Sequence, residues 1–258
     1  MNTSDRQNDI VALIRERGLL GIDLLAEHFA VTPQTIRRDV NALCDANILR
    51  RRHGGAELLQ AATNSPYDSR RITNLAAKRR VGAAVAGLIP NHASVMLGIG
   101  TTPEQVALAL TGHDDLTVIT NNLNVAMALS ANRSNRVVIA GGTLRLPDRD
   151  LLGPEAEALF RGYRADFGVF GVGGIDADGT LLDFDRAEVA AREALRESCR
   201  HAILVADRSK FGRPAPAHGG ALSSADTLVL DAAPPPALAA LAEAAGVRLV
   251  LPEGEIAA

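Results

Sequence analysis

The sequence predicts a winged helix-turn-helix head followed by an α/β body whose sheet is mainly parallel. Three observations carry this. Residues 1–57 read as three short amphipathic helices and a basic hairpin. From Ala76 onward, strand-length apolar runs alternate with helical patterns, the order that covers both faces of a parallel sheet with helices. Between the two, residues 58–75 lose periodicity and gather turn formers (TNSPYDSRRITN), as a linker does. The expected units are therefore a DNA-binding-type head at 1–57, a linker at 58–75 and an α/β body at 76–258.

In the head, Ile10, Leu13 and Ile14 recur at helical spacing and Gly18 supplies a stop. A second short helix carries Leu25 and Phe29, and Ala30-Val31 turns the chain. Thr32 then suits an N-cap and Pro33 the first helical position, where its missing N–H costs nothing. The third helix places Ile36, Val40 and Leu43 on one face and Gln34, Arg37, Arg38 and Asn41 on the other. ILRRRHGGAEL follows as a strand pair, with Gly54-Gly55 at its bend.

The charge distribution agrees with this reading. The 258 residues carry a net charge of −3, which excludes a globally basic nucleic-acid coat and requires any such site to be a local patch. Residues 1–57 are neutral overall, yet Thr32–Ala56 holds five arginines against Asp39 and Asp45. Thr32, Gln34, Thr35, Arg37, Arg38 and Asn41 on the third helix, with Arg50, Arg51, Arg52 and His53 on the wing, are the candidate DNA contacts. Gln34 suits base edges, Arg37 or Arg38 guanine or phosphate, and the wing the sugar-phosphate backbone. With 3% aromatic residues and no Trp, base stacking is not the recognition mode.

Other classes are excluded more briefly. The 47% hydrophobic content suffices for a sizeable core. Cys44 and Cys199 make neither a disulfide framework nor a metal-ligand pattern, so no metal or cofactor is expected. The first residues lack the apolar run of a signal peptide, and no stretch is long enough to span a bilayer, so a cytoplasmic protein without a membrane partner is expected. There are only two lysines, Lys78 and Lys210, in a chain that otherwise uses arginine. A position free to drift would carry arginine, which draws attention to both.

In the body, SVMLG, LTVIT, RVVIAGG, FGVFGVGG, AILVAD, TLVLD and VRLVL read as strands. VGAAVAGLI, PEQVALALT, NLNVAMALS, PEAEALF, AEVAAREALRES and PALAALAEAAG read as helices. Ligands of such sheets bind at the carboxyl ends of the strands, and polar chemistry collects there. Gly100-Thr101-Thr102 feeds a helix N-terminus, with Thr101 or Thr102 as cap and Pro103 at its first position, an arrangement that cradles phosphate or carboxylate. Thr120-Asn121-Asn122 ends the second strand, Gly141-Gly142 the third and Gly173 lies at the end of the fourth. Glu188 opens a later helix, and Lys210 follows a strand as a point charge for phosphate. Gly100, Thr101, Thr102, Thr120, Asn121, Asn122, Gly142, Gly173, Glu188 and Lys210 are the candidate ligand residues for a small polar anion.

The head string VTPQTIRRDVNAL with RRHGGA, and the body strings GTT, TNN, AGG, GVGGID and DRSKFG, resemble the DeoR family of transcriptional regulators. The resemblance spans essentially the whole chain. It implies a winged helix and a sensor domain related to ribose-5-phosphate isomerase. It also implies a homo-oligomer, dimer or tetramer, bound to repeated half-sites of double-stranded operator DNA. IGTTPEQVALAL, TNNLNVA, GIDADGTLLDFD, SKFGR and DAAPPP are most similar to members that answer to glycerol 3-phosphate. That similarity implies a repressor of glycerol metabolism genes, released from DNA by this effector. The chain departs from the family at Gly98, where members commonly carry Asp, and at Arg192, where they often carry Lys. The alternative is an isomerase-like enzyme with an accessory head, using Glu188 as base and Lys210 as electrostatic partner.

Overall fold

The computed structural model describes residues 3–45, 48–52, 54–58 and 64–252. The chain divides into two compact units, the first ending at Thr73 and the second beginning at Asn74.

The first unit comprises α1 (Thr3–Arg17), β1 (Leu20–Gly21), α2 (Ile22–His28), α3 (Pro33–Asp45), β2 (Leu49–Arg52), β3 (Gly55–Leu58) and α4 (Tyr67–Ile72). Ile10 and Ile14 of α1, Leu25 of α2 and Ile36, Val40 and Leu43 of α3 form one core with Leu49 and Ala56 of the hairpin. The apolar face expected for α3 is thus the buried one, each large side chain contributing about 1.5–3 kcal/mol. Ala30 makes the turn before α3 in the left-handed region, at φ 51°. Thr32 caps α3, its Oγ1 accepting from Thr35 N at 3.3 Å. β1, not anticipated from the sequence, adds a third strand in the antiparallel order β1-β3-β2. Gly54 turns at φ 77° and Gly55 packs on the Leu20 carbonyl so closely that a Cβ would overlap it. Helix α4 lies inside the segment read as linker.

The second unit contains α5 (Leu75–Ala86), β4 (Ser94–Leu97), α6 (Thr101–Ala109), β5 (Thr117–Thr120), α7 (Leu123–Leu129), β6 (Arg136–Ile139), β7 (Leu144–Arg145), β8 (Asp150–Leu151) and α8 (Pro154–Arg161). It continues through β9 (Ala165–Phe170), β10 (Gly174–Ile175), β11 (Thr180–Asp183), α9 (Arg186–Glu197) and β12 (Cys199–Ala206). It ends with β13 (Ala217–Ala221), β14 (Thr227–Leu230), α10 (Pro236–Ala244) and β15 (Arg248–Val250). Seven strands form a wholly parallel sheet in the order β15-β14-β12-β9-β4-β5-β6. Both faces are covered. In β4, Val95 and Leu97 enter one core with Val85 and Val106, while Met96 enters the other with Phe170 and Leu195. This is the period-two alternation of a strand buried on both sides.

The connectivity positions the site. From β4 the chain steps outward through β5 to β6, returns to the other side of β4 as β9, and steps outward again through β12, β14 and β15. The order reverses between β4 and β9, and ligands of open parallel sheets sit outside the carboxyl ends at such a reversal.

The structure corrects the sequence reading at several places. Helix α5 begins at Leu75, not Val81. Helix α6 begins at Thr101 with Gly100 at the cap, φ 112°, and no side chain caps it. Neither Thr101 nor Thr102 is therefore the cap, and Pro103 occupies the third position; a missing N–H is still harmless there, because first-turn amides have no intrahelical acceptor. The antiparallel sheet β10-β11-β13 and the hairpin β7-β8 are additions to the expected parallel strands. Among the described residues no helix is long and apolar enough to cross a membrane.

Candidate functional site

In the first unit, α3 turns Gln34, Arg37 and Arg38 to solvent, with Thr32 exposed and Thr35 half-buried at its start. Neither the Arg37 nor the Arg38 side chain makes a hydrogen bond or ion pair with another described residue. The wing arginines differ. Arg52 Nε donates to Glu57 at 2.7 Å, Arg50 donates to the same carboxylate, and Arg51 donates to Asn41 Oδ1. The Arg52 bond, reinforced by Arg50, holds the Glu57 carboxyl below its usual range. Asn41, read as an outward contact, thus ties the wing to α3. His53 lies outside the described residues.

One acid changes sides. Asp39, counted against the basic patch, is 1% exposed and accepts from Arg6 Nε at 2.6 Å and Gln7 Nε2 at 3.3 Å. Its charge is matched within the core packing of α1 on α3, so the outward face of α3 is more basic than the sequence count implies.

In the second unit a small, partly open cleft lies at the reversal between β4 and β9. Gly98 beyond β4, Asn121 beyond β5, Gly171 beyond β9, and Asp183, Glu188 and Arg192 line it. The Thr120-Asn121-Asn122 run divides its work. Thr120 Oγ1 donates to Leu97 O at 2.6 Å, and Asn122 Oδ1 caps α7, accepting from Asn124 N at 2.9 Å. Both build the frame. Asn121 Nδ2 donates to Leu151 O at 2.8 Å, while its Oδ1 is buried and unpartnered. A buried acceptor without a donor costs about 1–3 kcal/mol until something supplies one.

The charged groups are tightly arranged. Arg145 gives 2.8 Å bonds to both Asp150 oxygens and to Glu188 Oε1. Burial opposes that guanidinium's charge, but Asp150 and Glu188 hold it above its ordinary value. Arg192 is buried, donating to Asp183 Oδ2 and to Gly219 O, each at 2.6 Å. Asp183 also accepts from Gly173 N at 2.7 Å. The Gly173 amide is therefore engaged by a carboxylate. Gly142 follows the edge strand β6, is exposed, and is not among the residues lining the cleft.

Burial pushes Asp183 up to about 6, with Glu188 adding to the rise and Arg192, Gly173 N and Lys210 opposing it. An unfolded aspartate titrates at about 3.9. Between those values the folded chain holds a proton that the unfolded chain has lost, so this residue's contribution to stability falls as pH rises through the window. The melting-temperature advantage of the parent over Asp183→Asn is expected to shrink between about pH 4 and pH 6.5. Thermal melts of the two across that range measure it, and an advantage that grows with pH contradicts the assignment.

Residues 6–62 match the DeoR-like helix-turn-helix domain and residues 73–232 the DeoR C terminal sensor domain. The chain belongs to the DeoR family. It is 43% identical to the glycerol-3-phosphate regulon repressor of Escherichia coli (strain K12) over 235 residues, 91% of this chain and 93% of that protein. It is 44% identical to the protein of the same name from Haemophilus influenzae over 228 residues, 88% and 89% of the two chains. Among solved structures, ribose 5-phosphate isomerase A from Methanocaldococcus jannaschii matches 54% of this chain and 55% of its own, with 13% identity and a TM-score of 0.40.

This DeoR-family chain holds several polar residues that the sequence reading missed. Arg145, Asp150 and Asp183 come from short strands outside the main sheet and carry no local signal. Glu188, the base of the isomerase alternative, is committed to Arg145. Lys78 was flagged only by the scarcity of lysine, and it proves to be buried. At Gly98, a Cβ would meet Leu195 Cδ1 at 3.4 Å and Val169 O at 3.5 Å, so glycine is not required for space and its effect is to leave the cleft without a side chain there.

Proposed function

We propose that this DeoR-family regulator is a repressor of glycerol metabolism genes that releases its operator when glycerol 3-phosphate fills the cleft beyond β4 and β9. One pairing carries the reading: an outward helix face with two uncommitted arginines, and a switch-point cleft with a buried orphan acceptor, in a single chain. Thr32, Gln34, Thr35, Arg37 and Arg38 would meet the major groove. Arg50, Arg51, Arg52 and His53 would follow the backbone once the arginines leave Glu57 and Asn41. The phosphate would sit on the amides at Gly100-Thr101-Thr102 with Lys210 as counter-charge, and Asn121 Oδ1 would accept from a hydroxyl. Two or four copies would place α3 helices on repeated half-sites.

The chain acts as a regulator and not as an enzyme. Effector binding releases DNA only if it favours a state in which the heads fit the operator worse; a ligand indifferent to the two states shifts nothing. Gel-shift titration on DNA upstream of glycerol-use genes tests this. Glycerol 3-phosphate at millimolar concentration is expected to abolish retention. Unchanged retention, with another sugar phosphate effective, defeats the named effector.

A further inference from the structure

The turn that carries Lys210 and the start of the second unit are joined by one buried carboxylate. Asp207 stands immediately beyond β12 and is 1% exposed. It caps the short 3-10 turn Arg208–Lys210: its Oδ1 accepts from Ser209 N at 2.9 Å and from the Ser209 hydroxyl, and its carbonyl accepts from Lys210 N at 2.9 Å. The same Oδ1 accepts from Asn74 Nδ2 at 3.1 Å, across 133 positions of sequence.

Asn74 is the first residue of the second unit. It sits in the left-handed region at φ 54° and precedes α5, whose Lys78 N donates to the Asn74 carbonyl at 3.0 Å. A left-handed non-glycine residue stores strain that its surroundings must hold in place. Burial disfavours the Asp207 charge, yet Lys78, Lys210 and the Ser209 bonds hold the carboxyl below its ordinary value. Lys210 also acts on Asp183, which lines the cleft. Lys210 is not itself among the residues that line the cleft; its positive charge acts on Asp183, which is, and on Asp207. The Asn74–Asp207 bond is buried, so a shift of one of these two partners is not absorbed by solvent, while Ser209 and Lys210 are half-exposed.

We propose that Asp207 is a positioning residue that passes effector occupancy from Lys210 to Asn74, where the chain enters the sensor unit. An anion that draws Lys210 into the cleft pulls the 208–210 turn. Asp207 caps that turn and moves with it, and the Asn74 amide loses or re-forms its bond. The strained backbone at the entry to α5 then relaxes toward a second arrangement. The relay rests on the reading of the cleft as a phosphate site.

The test is the full chain with Asn74→Gly, which removes the amide but suits the positive φ, beside Asn74→Ala. Calorimetry with glycerol 3-phosphate gives effector affinity, and operator affinity is measured with and without saturating effector. In the parent the effector is expected to weaken operator binding about tenfold or more. In both variants that factor is expected to fall below about threefold, with effector affinity and effector-free operator affinity each within about threefold of the parent. Full release by Asn74→Gly overturns the relay while leaving the functional reading intact. Release kept by glycine and lost by alanine also overturns it, since backbone shape and not the amide would then be the carrier. A parent that binds no glycerol 3-phosphate overturns the functional reading and the relay together.

Discussion

Lys210→Ala is expected to weaken glycerol 3-phosphate binding about 10- to 100-fold and to leave operator binding within about twofold of the parent, so that millimolar effector no longer releases DNA. The magnitude follows from the charge inventory around the cleft. Asp183, Glu188 and Asp150 put three carboxylates in its neighbourhood. Arg145 answers Asp150 and Glu188, and Arg192 answers Asp183 while also holding the Gly219 carbonyl. Both guanidiniums have bonds to lose if they turn to a phosphate. Lys210 does not line the cleft, but its charge acts on Asp183, which does; it sits on an unbranched stem, and a charged hydrogen bond to phosphate is worth about 1.5–3 kcal/mol. Without it, an incoming anion meets Asp183 with one opposing charge fewer. Lys210→Arg keeps the charge but not the compact ammonium, and is expected to retain part of the affinity. Calorimetry and gel shift on the same preparations separate the two readouts. Normal release by Lys210→Ala would place the phosphate elsewhere.

The parts of the molecule that were legible in the sequence are those set by local rules. Thr32-Pro33 suits a cap and a first helical residue by its own chemistry, though Thr102-Pro103 shows that the same pair can also fall inside a first turn, and Ile36, Val40 and Leu43 share a helix face whatever they pack on. All seven strands of the main sheet announce themselves as apolar runs, because a central parallel strand is buried on both faces, and the more exposed edge strands β6 and β15 still carry valine, isoleucine or leucine. What stayed hidden depends on partners far along the chain. Strands β10, β11 and β13 are two to five residues long, β10 and β13 contain glycine, and β11 joins β13 only through a pairing across the intervening α9 and β12. Asp39 looks like any acid on a polar helix until Arg6 and Gln7 reach it. Of the three residues in TNN, only the fold shows that Thr120 and Asn122 serve the backbone and that Asn121 keeps an oxygen for something else. The Asn74–Asp207 bond has no signature in either stretch of sequence, because it exists only once β12 has docked beside β9.

Arg38→Ala is expected to weaken operator binding about 10- to 100-fold without changing the calorimetric affinity for glycerol 3-phosphate. Arg38 stands exposed on α3, one position before the buried Asp39, and its side chain bonds no other described residue. Its donors therefore contribute their full exchange of water for base or phosphate. Arg52 offers a contrast within the same unit: its guanidinium must first leave Glu57, so part of any DNA contact is offset by the ion pair it breaks. Arg52→Ala should accordingly cost less than Arg38→Ala at equal salt. Salt titration then tells what Arg38 touches. A phosphate contact weakens binding uniformly across operator variants and lowers the slope of log affinity against log salt by about one. A guanine contact leaves most of the slope and relaxes preference at one base pair, with about 1–3 kcal/mol of discrimination lost there. Equal losses for Arg38→Ala and Arg52→Ala, with equal slopes, would mean that the wing and the helix face share one backbone track, and that α3 does not enter the groove by the face its core packing turns outward.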